Sequence, residues 1–160
     1  MNEDLGKIKK IEEVKDIKLG NTGDMYGKNG ARLSVSGMLN SLCGYSTYDG
    51  YKVETDKNEF YILIENDQCC CEDWGYITTN DDINDFIGKT IKSVVFTDTQ
   101  LGNKEIKELE YVEKNEIQFV NFKTTDGDTL QLAVYNSHNG YYGHNIIIAK
   151  NEDILLEETL

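Results

Sequence analysis

The chain has 160 residues, 39% of them apolar and 28% charged, which suits one ordinary domain with its own core and excludes a disordered or fibrous chain. Sixteen Lys and Arg face 29 Asp and Glu, a net charge of −13, so the clustered cations that a nucleic-acid duplex or an anionic lipid surface requires are missing. No apolar run reaches the roughly 18 residues of a membrane-spanning helix, and MNEDLGKIKK has no apolar leader, so a cytoplasmic domain is expected.

Leu5, Ile8, Ile11, Val14 and Ile17 recur every three residues. That spacing predicts an amphipathic helix over 1–19, with a strand over 8–19 as the competing reading. Residues 20–31, GNTGDMYGKNGA, read as a loop, so 1–31 is expected as a helical arm before a single mainly-β domain at 32–160. A short helix is expected over 33–42, leading into CGYSTYDG. Tyr51, Val53 and Thr55, then Phe60, Ile62 and Ile64, alternate around DKN and predict a β-hairpin. Trp74 to Ile77 is a short strand. TTNDDINDFIGK is expected to form one helix in which Asn80 or Asp81 can cap the start and Gly88 the end. Strands are then expected at 90–98, 106–113, 116–124, 129–135, 145–149 and 153–157, with short turns between them that favour antiparallel meanders. The predicted class is α+β, mainly antiparallel: a twisted or half-closed sheet with one or two short helices packed on it. The edge strand at 153–157 offers pairing with a second copy.

Three loops gather the residues that carry chemistry: Cys43 to Gly50, Gln68 to Tyr76 and Tyr135 to His144. They hold both histidines, all four cysteines, the single tryptophan and six of the ten tyrosines. The candidate ligand-binding residues are Tyr48, Asp49, Glu72, Asp73, Trp74, Tyr76, Asn136, His138, Asn139, Tyr141, Tyr142 and His144. Tyrosine rings offer flat faces for stacking, and Asn136 and Asn139 offer amides that can read a base edge. His138 and His144 are six apart, unlike the i, i+4 pair of a helical zinc site, and Cys69, Cys70 and Cys71 match no zinc template. No G-x-S-x-G elbow and no G-x-G-x-x-G are present. No metal, cofactor or catalytic residue is therefore assigned, and catalysis is not the favoured reading.

The excess of Lys over Arg, with abundant Asn and Ile, suggests an AT-rich genome. The segments C-C-x-E-D-W-G-Y (Cys69 to Tyr76) and Y-N-x-H-N-G-Y-Y-x-H (Tyr135 to His144) resemble those of a family of small uncharacterised domains of low-GC Gram-positive bacteria and their phages. Ser46, Tyr48, Asp49 and Gly50 are also similar. The resemblance covers about 35–150. It implies an origin and a site, with no agreed activity.

The expected function is a non-catalytic binding protein, phage-encoded and acting against host defence by sequestering a small signalling nucleotide. Backbone amides and lysines would have to hold the phosphates, because Arg32 stands alone. Two alternatives are kept: an inhibitor that caps a host defence protein through its acidic surface, and a metal- or thiol-dependent hydrolase using Cys70, His138 and His144.

Overall fold

The computed structural model describes residues 3–19, 46–67, 73–137 and 143–160. Among the described residues nine strands form one open antiparallel sheet: β1 (Gly6–Leu19), β2 (Ser46–Thr55), β3 (Glu59–Glu65), β4 (Asp73–Thr78), β5 (Thr90–Thr97), β6 (Ile117–Thr124), β7 (Thr129–Ser137), β8 (Asn145–Lys150) and β9 (Asp153–Thr159). Their order across the sheet is β4-β7-β6-β5-β1-β2-β3-β8-β9. The predicted hairpin is β2–β3, with Tyr51 opposite Ile62 and Val53 opposite Phe60. The mainly antiparallel expectation therefore holds, while the helices expected to pack on the sheet do not form among the described residues. Three 3-10 segments stand there instead: Ile83–Phe86, Lys107–Leu109 and Lys114–Glu116.

The first correction falls on residues 1–19. Residues 6–19 are no helix: β1 is a strand in the middle of the sheet, in line with the competing reading of 8–19. Two of the intervals of three span β-bulges, one between Ile8 and Lys10 and one between Val14 and Ile17, while Ile11 and Val14 fall on opposite faces. A bulge adds one residue to one strand, so side chains three apart point the same way on either side of it. Ile8 and Ile11 thus share the main core, while Val14 and Ile17 both pack on the opposite face against Tyr48, Leu63 and Ile147. At the second bulge Asp16 adopts φ 53°. Its backbone N–H donates to Asp49 Oδ1 at 2.9 Å, and Asn66 Nδ2 donates to both Asp16 Oδ1 and Asp49 Oδ1 at 2.8 Å.

The sheet curls about β1. Gly6 and Lys7 pair with Ile91 and Thr90 of β5, and the rest of β1 follows β2. Both halves feed one core: Phe60 of β3 meets Phe122 of β6 edge to face at 5.3 Å, among Ile8, Ile62, Leu130, Leu132 and Ile148. Fully burying an aliphatic side chain of this kind contributes roughly 1.5–3 kcal/mol. Glycine is required at position 50, because a Cβ there would stand 1.9 Å from the Ile62 carbonyl oxygen across the β2–β3 pair.

Two further expectations are corrected. Residues 80–88 shorten to the 3-10 segment Ile83–Phe86. Asp82 caps it, because Asn80 accepts from the Gln131 backbone and Asp81 pairs with Lys104. Residues 106–113 form no strand. Leu109 and Val112 fold onto the outer cluster of Ile117, Phe119, Ala133 and Tyr135, and Tyr111 is left 80% exposed. Three-residue spacing, not alternation, was the operative pattern there. The buried Gln131 ties this excursion to the sheet: Nε2 donates to the Thr99 carbonyl at 3.1 Å, and Oε1 accepts from Leu101 N–H at 2.9 Å. The helix expected over 33–42 lies outside the described residues.

Replacing Asp49 with Ala removes the acceptor that holds the Asp16 bulge. A loss of about 1–3 kcal/mol in unfolding free energy is expected, with faster amide exchange at Asp16. Unchanged exchange at that amide would mean the bulge holds itself.

Candidate functional site

Parts of the three flagged loops meet at one end of the sheet. Register pairing sets Tyr48 opposite Glu65 and Trp74 opposite Asn136. His144 joins the two pairs: its ring stacks on the Trp74 indole at 5.5 Å and 27°, and its Nδ1 lies 2.5 Å from the Glu65 carbonyl oxygen. A carbonyl can only accept, so Nδ1 carries the proton. The His144 backbone also exchanges two hydrogen bonds with Leu160, each 2.9 Å, and Asn136 Nδ2 donates to the Leu160 carbonyl at 3.0 Å.

Most of these side chains are used inside the protein. Tyr48 and Asn136 are fully buried, His144 is 2% exposed and Asp49 holds the β1 bulge. Tyr48 and Asp49 are neighbours on β2, so they face opposite sides of the sheet. The candidates that reach the surface are Asp73, Trp74 and Tyr76, all on the edge strand β4. Glu72, His138, Asn139, Tyr141 and Tyr142, with Cys43 and Cys69 to Cys71, lie outside the described residues. Among the described residues no three His, Cys, Asp or Glu side chains gather as a cation site.

The geometry adds residues that sequence reasoning missed. Tyr76 meets Tyr51 edge to face at 5.1 Å, and its hydroxyl donates to Glu13 Oε2 at 3.1 Å. Glu13 sits directly opposite Tyr51 in the β1–β2 pair. The Lys15 ammonium lies 5.6 Å from the Tyr76 ring centre and 4.0 Å from Asp49 Oδ2. Tyr51, Tyr76, Ile77 and Thr78 floor a cleft of about 310 Å³ whose other wall is residues 104–108. Glu13 and Lys15 were hidden in the helical reading of 1–19. Read as a strand, the run Ile11, Glu13, Lys15 would have shown one face turning from apolar to charged.

Local fields follow this arrangement. Burial, then the nearby Glu13 carboxylate, pushes the Tyr51 hydroxyl up to about 12. Burial also raises Tyr76, with Glu13 adding to it and Lys15 opposing it. The Tyr76 hydroxyl, and then Asp49 and Glu13, hold the Lys15 ammonium above its usual range. Tyr135, packed against Gly75, is raised to about 12 by burial and then by Asp73 and Glu108.

A family model described as a domain of unknown function, DUF7448, matches residues 5–148. A protein of Acanthamoeba polyphaga mimivirus, described as uncharacterized protein L278, is 28% identical over 119 residues, which cover 72% of this chain and 89% of the relative. No solved structure matches the chain.

From pH 10 to 12 the unfolded chain has lost the Tyr51 phenolic proton while the folded chain still holds it. The stability this group contributes is therefore full below 10 and is lost as pH rises through 12. Tyr51→Phe should flatten that fall in urea unfolding curves taken across the window. Equal slopes for both proteins would place the hydroxyl in free water.

Proposed function

The chain belongs to the DUF7448 family, and we propose that it works as a non-catalytic binding protein that caps a basic protein partner through its acidic surface. One observation carries this reading. Where the described parts of the flagged segments reach the surface, they present the Asp73 carboxylate and the half-buried Trp74 and Tyr76 rings, and Lys15, over the Tyr76 ring, already leans on Asp49. Lys104, across the cleft, is likewise tied to Asp81 at 2.9 Å. A net charge of −13 steers a basic partner toward such a surface and keeps anionic molecules away. The mimivirus relative supports a viral setting, in which such a protein would block a host defence factor. The phage origin implied by the sequence resemblance belongs to the same proposal.

The sequestered nucleotide is the second reading. What favours it is the Tyr51–Tyr76 ring pair on the floor of a cleft rimmed by Lys104 and Lys107. Against it stand Glu105 and Glu108 on the same rim. The hydrolase alternative rests on Cys70 and His138, outside the described residues, and on His144, whose ring is buried between Trp74 and Glu65.

A tagged chain expressed in its native host is expected to capture a partner of basic pI. The purified pair should separate as salt rises from ~0.1 M to ~1 M, over which the screening length falls from ~10 to ~3 Å. An acidic partner, or capture indifferent to salt, counts against capping. Calorimetry with a panel of cyclic nucleotides decides the second reading: heat with one of them, kept at physiological salt, would place the nucleotide first. Absence of heat across the panel removes it.

A further inference from the structure

We propose that the cleft between β5 and the β8–β9 hairpin holds a small amphipathic anion, its carboxylate head at Lys92 and Lys150 and its apolar body on Val94 and Leu155. The site is separate from the capping reading, which uses the acidic surface at β4. β5 shares only two register pairs with β1, Thr90 with Lys7 and Ile91 with Gly6. Past them, residues 92–94 border a cleft of about 430 Å³, within the range of small-molecule sites. Lys150 at the end of β8 and Leu155 of β9 border it too, and Leu5 and Phe60 join the lining from the main core. The registers explain this convergence. Lys150 stands opposite Phe60 and Val94 opposite Phe122, so each takes the core-facing side of the sheet. Lys92 and Leu155 are the extra residues of two β-bulges, since pairing passes from Ile91 to Ser93 in β5 and from Ile154 to Leu156 in β9. Bulges beside sites re-aim side chains, and here two of them border one cleft.

The charges decide the class of ligand. Among the described side chains, four lysines are withdrawn from the surface: Lys52, Lys89, Lys92 and Lys150. Lys52 lies between Glu54 and Glu59, and Lys89 between Asp126 and Asp128. Lys92 and Lys150 form no ion pair among the described residues, and both line this one cleft. Glu3 is the single carboxylate in the lining, against two ammoniums, and the neighbouring Asp4 is taken by Lys57 at 2.6 Å. A partly desolvated ammonium without a counter-charge favours an anion beside it. The net charge of −13 opposes anions at long range, so a bare dianion gains little here. A monocarboxylate with an apolar body meets less of that repulsion and also covers the half-buried Val94 and the 39% exposed Leu155.

The probe is octanoate, titrated by calorimetry into the full chain at physiological salt, beside the variants Lys92→Met, Lys150→Met and Lys9→Met. All three lose one positive charge, and Lys9 is exposed and outside the cleft lining, so it controls for net charge. Methionine keeps an apolar stem, and circular dichroism checks the fold of each variant. The two cleft variants should bind octanoate about fivefold weaker than Lys9→Met. Two further ligands need no variant: 1-octanol, which lacks the charge, and inorganic phosphate, which lacks the apolar body. Each should bind the wild type at least about tenfold weaker than octanoate, and this comparison decides if a cleft variant fails to fold. Equal affinities across the three variants, or octanol matching octanoate, remove the lysines from the site and overturn the proposal. Phosphate matching octanoate overturns the amphipathic assignment. A wild type that does not bind octanoate overturns the site outright. None of these outcomes bears on capture of a basic partner, so capping stands or fails by its own experiment.

Discussion

The hydrogen bond from the Asp16 backbone to Asp49 organises more of this protein than its size suggests. It holds β1 in a bulge just where the strand must change which face its side chains present. Without that extra residue Ile17 would turn away from the outer cluster that Val14 shares with Tyr48 and Leu63. The same bulge fixes where Lys15 stands, so one local irregularity serves packing on one face and the Lys15–Tyr76 contact on the other. The first bulge, near Lys9, plays the matching part at the other end, where β1 leaves β5 and joins β2. Strands that pass between two packed halves of a sheet use bulges in this way to turn the corner.

The candidate site divides into a buried brace and an exposed edge. His144, Trp74, Asn136 and the Glu65 carbonyl form the brace, which binds β3, β4, β7 and the approach to β8 into one end of the sheet. Hydrogen bonds made by buried polar groups of this kind help to specify the arrangement of the strands they join. The exposed edge is β4, whose Trp-Gly-Tyr run places one aromatic on the brace and the next on the cleft. These two aromatics lie two residues apart and so share a face, while Gly75 between them makes room for Tyr135 on the other. The motif thus has a structural half and a surface half.

Among the described residues the acidic balance is distributed rather than gathered into a cation site. Lys89 lies between Asp126 and Asp128, Lys52 between Glu54 and Glu59, and Lys104 on Asp81. Each lysine placed in this way answers a local cluster of acids, and the excess carboxylates remain on the surface. The exposed Lys104–Asp81 pair adds little stability, so its effect is mainly on the field a partner meets.

Most strands from residue 51 onward were legible in the sequence, by alternation where one face is buried and by short apolar runs between turn signals where both are, whereas 46–50 read as loop and 106–113 as a strand that does not form. The β2–β3 hairpin, β4 to β8 and the edge strand β9 follow from these two patterns. Net charge and the clustering of aromatic and imidazole groups in a few segments were equally legible, because they are properties of composition and order. Tertiary structure alone decided the rest. Leu5 to Ile17 at intervals of three suits a helix as well as a twice-bulged strand, and only pairing with β2 on one side and β5 on the other selects the strand. Tyr48, Asn136 and His144 looked like ligand groups, yet the curl of the sheet buries them. Tyr51, Glu13 and Lys15 looked like ordinary strand and helix residues, yet the same curl sets them around Tyr76. Burial and long-range proximity depend on how distant strands cross, and no local pattern in the chain encodes that crossing.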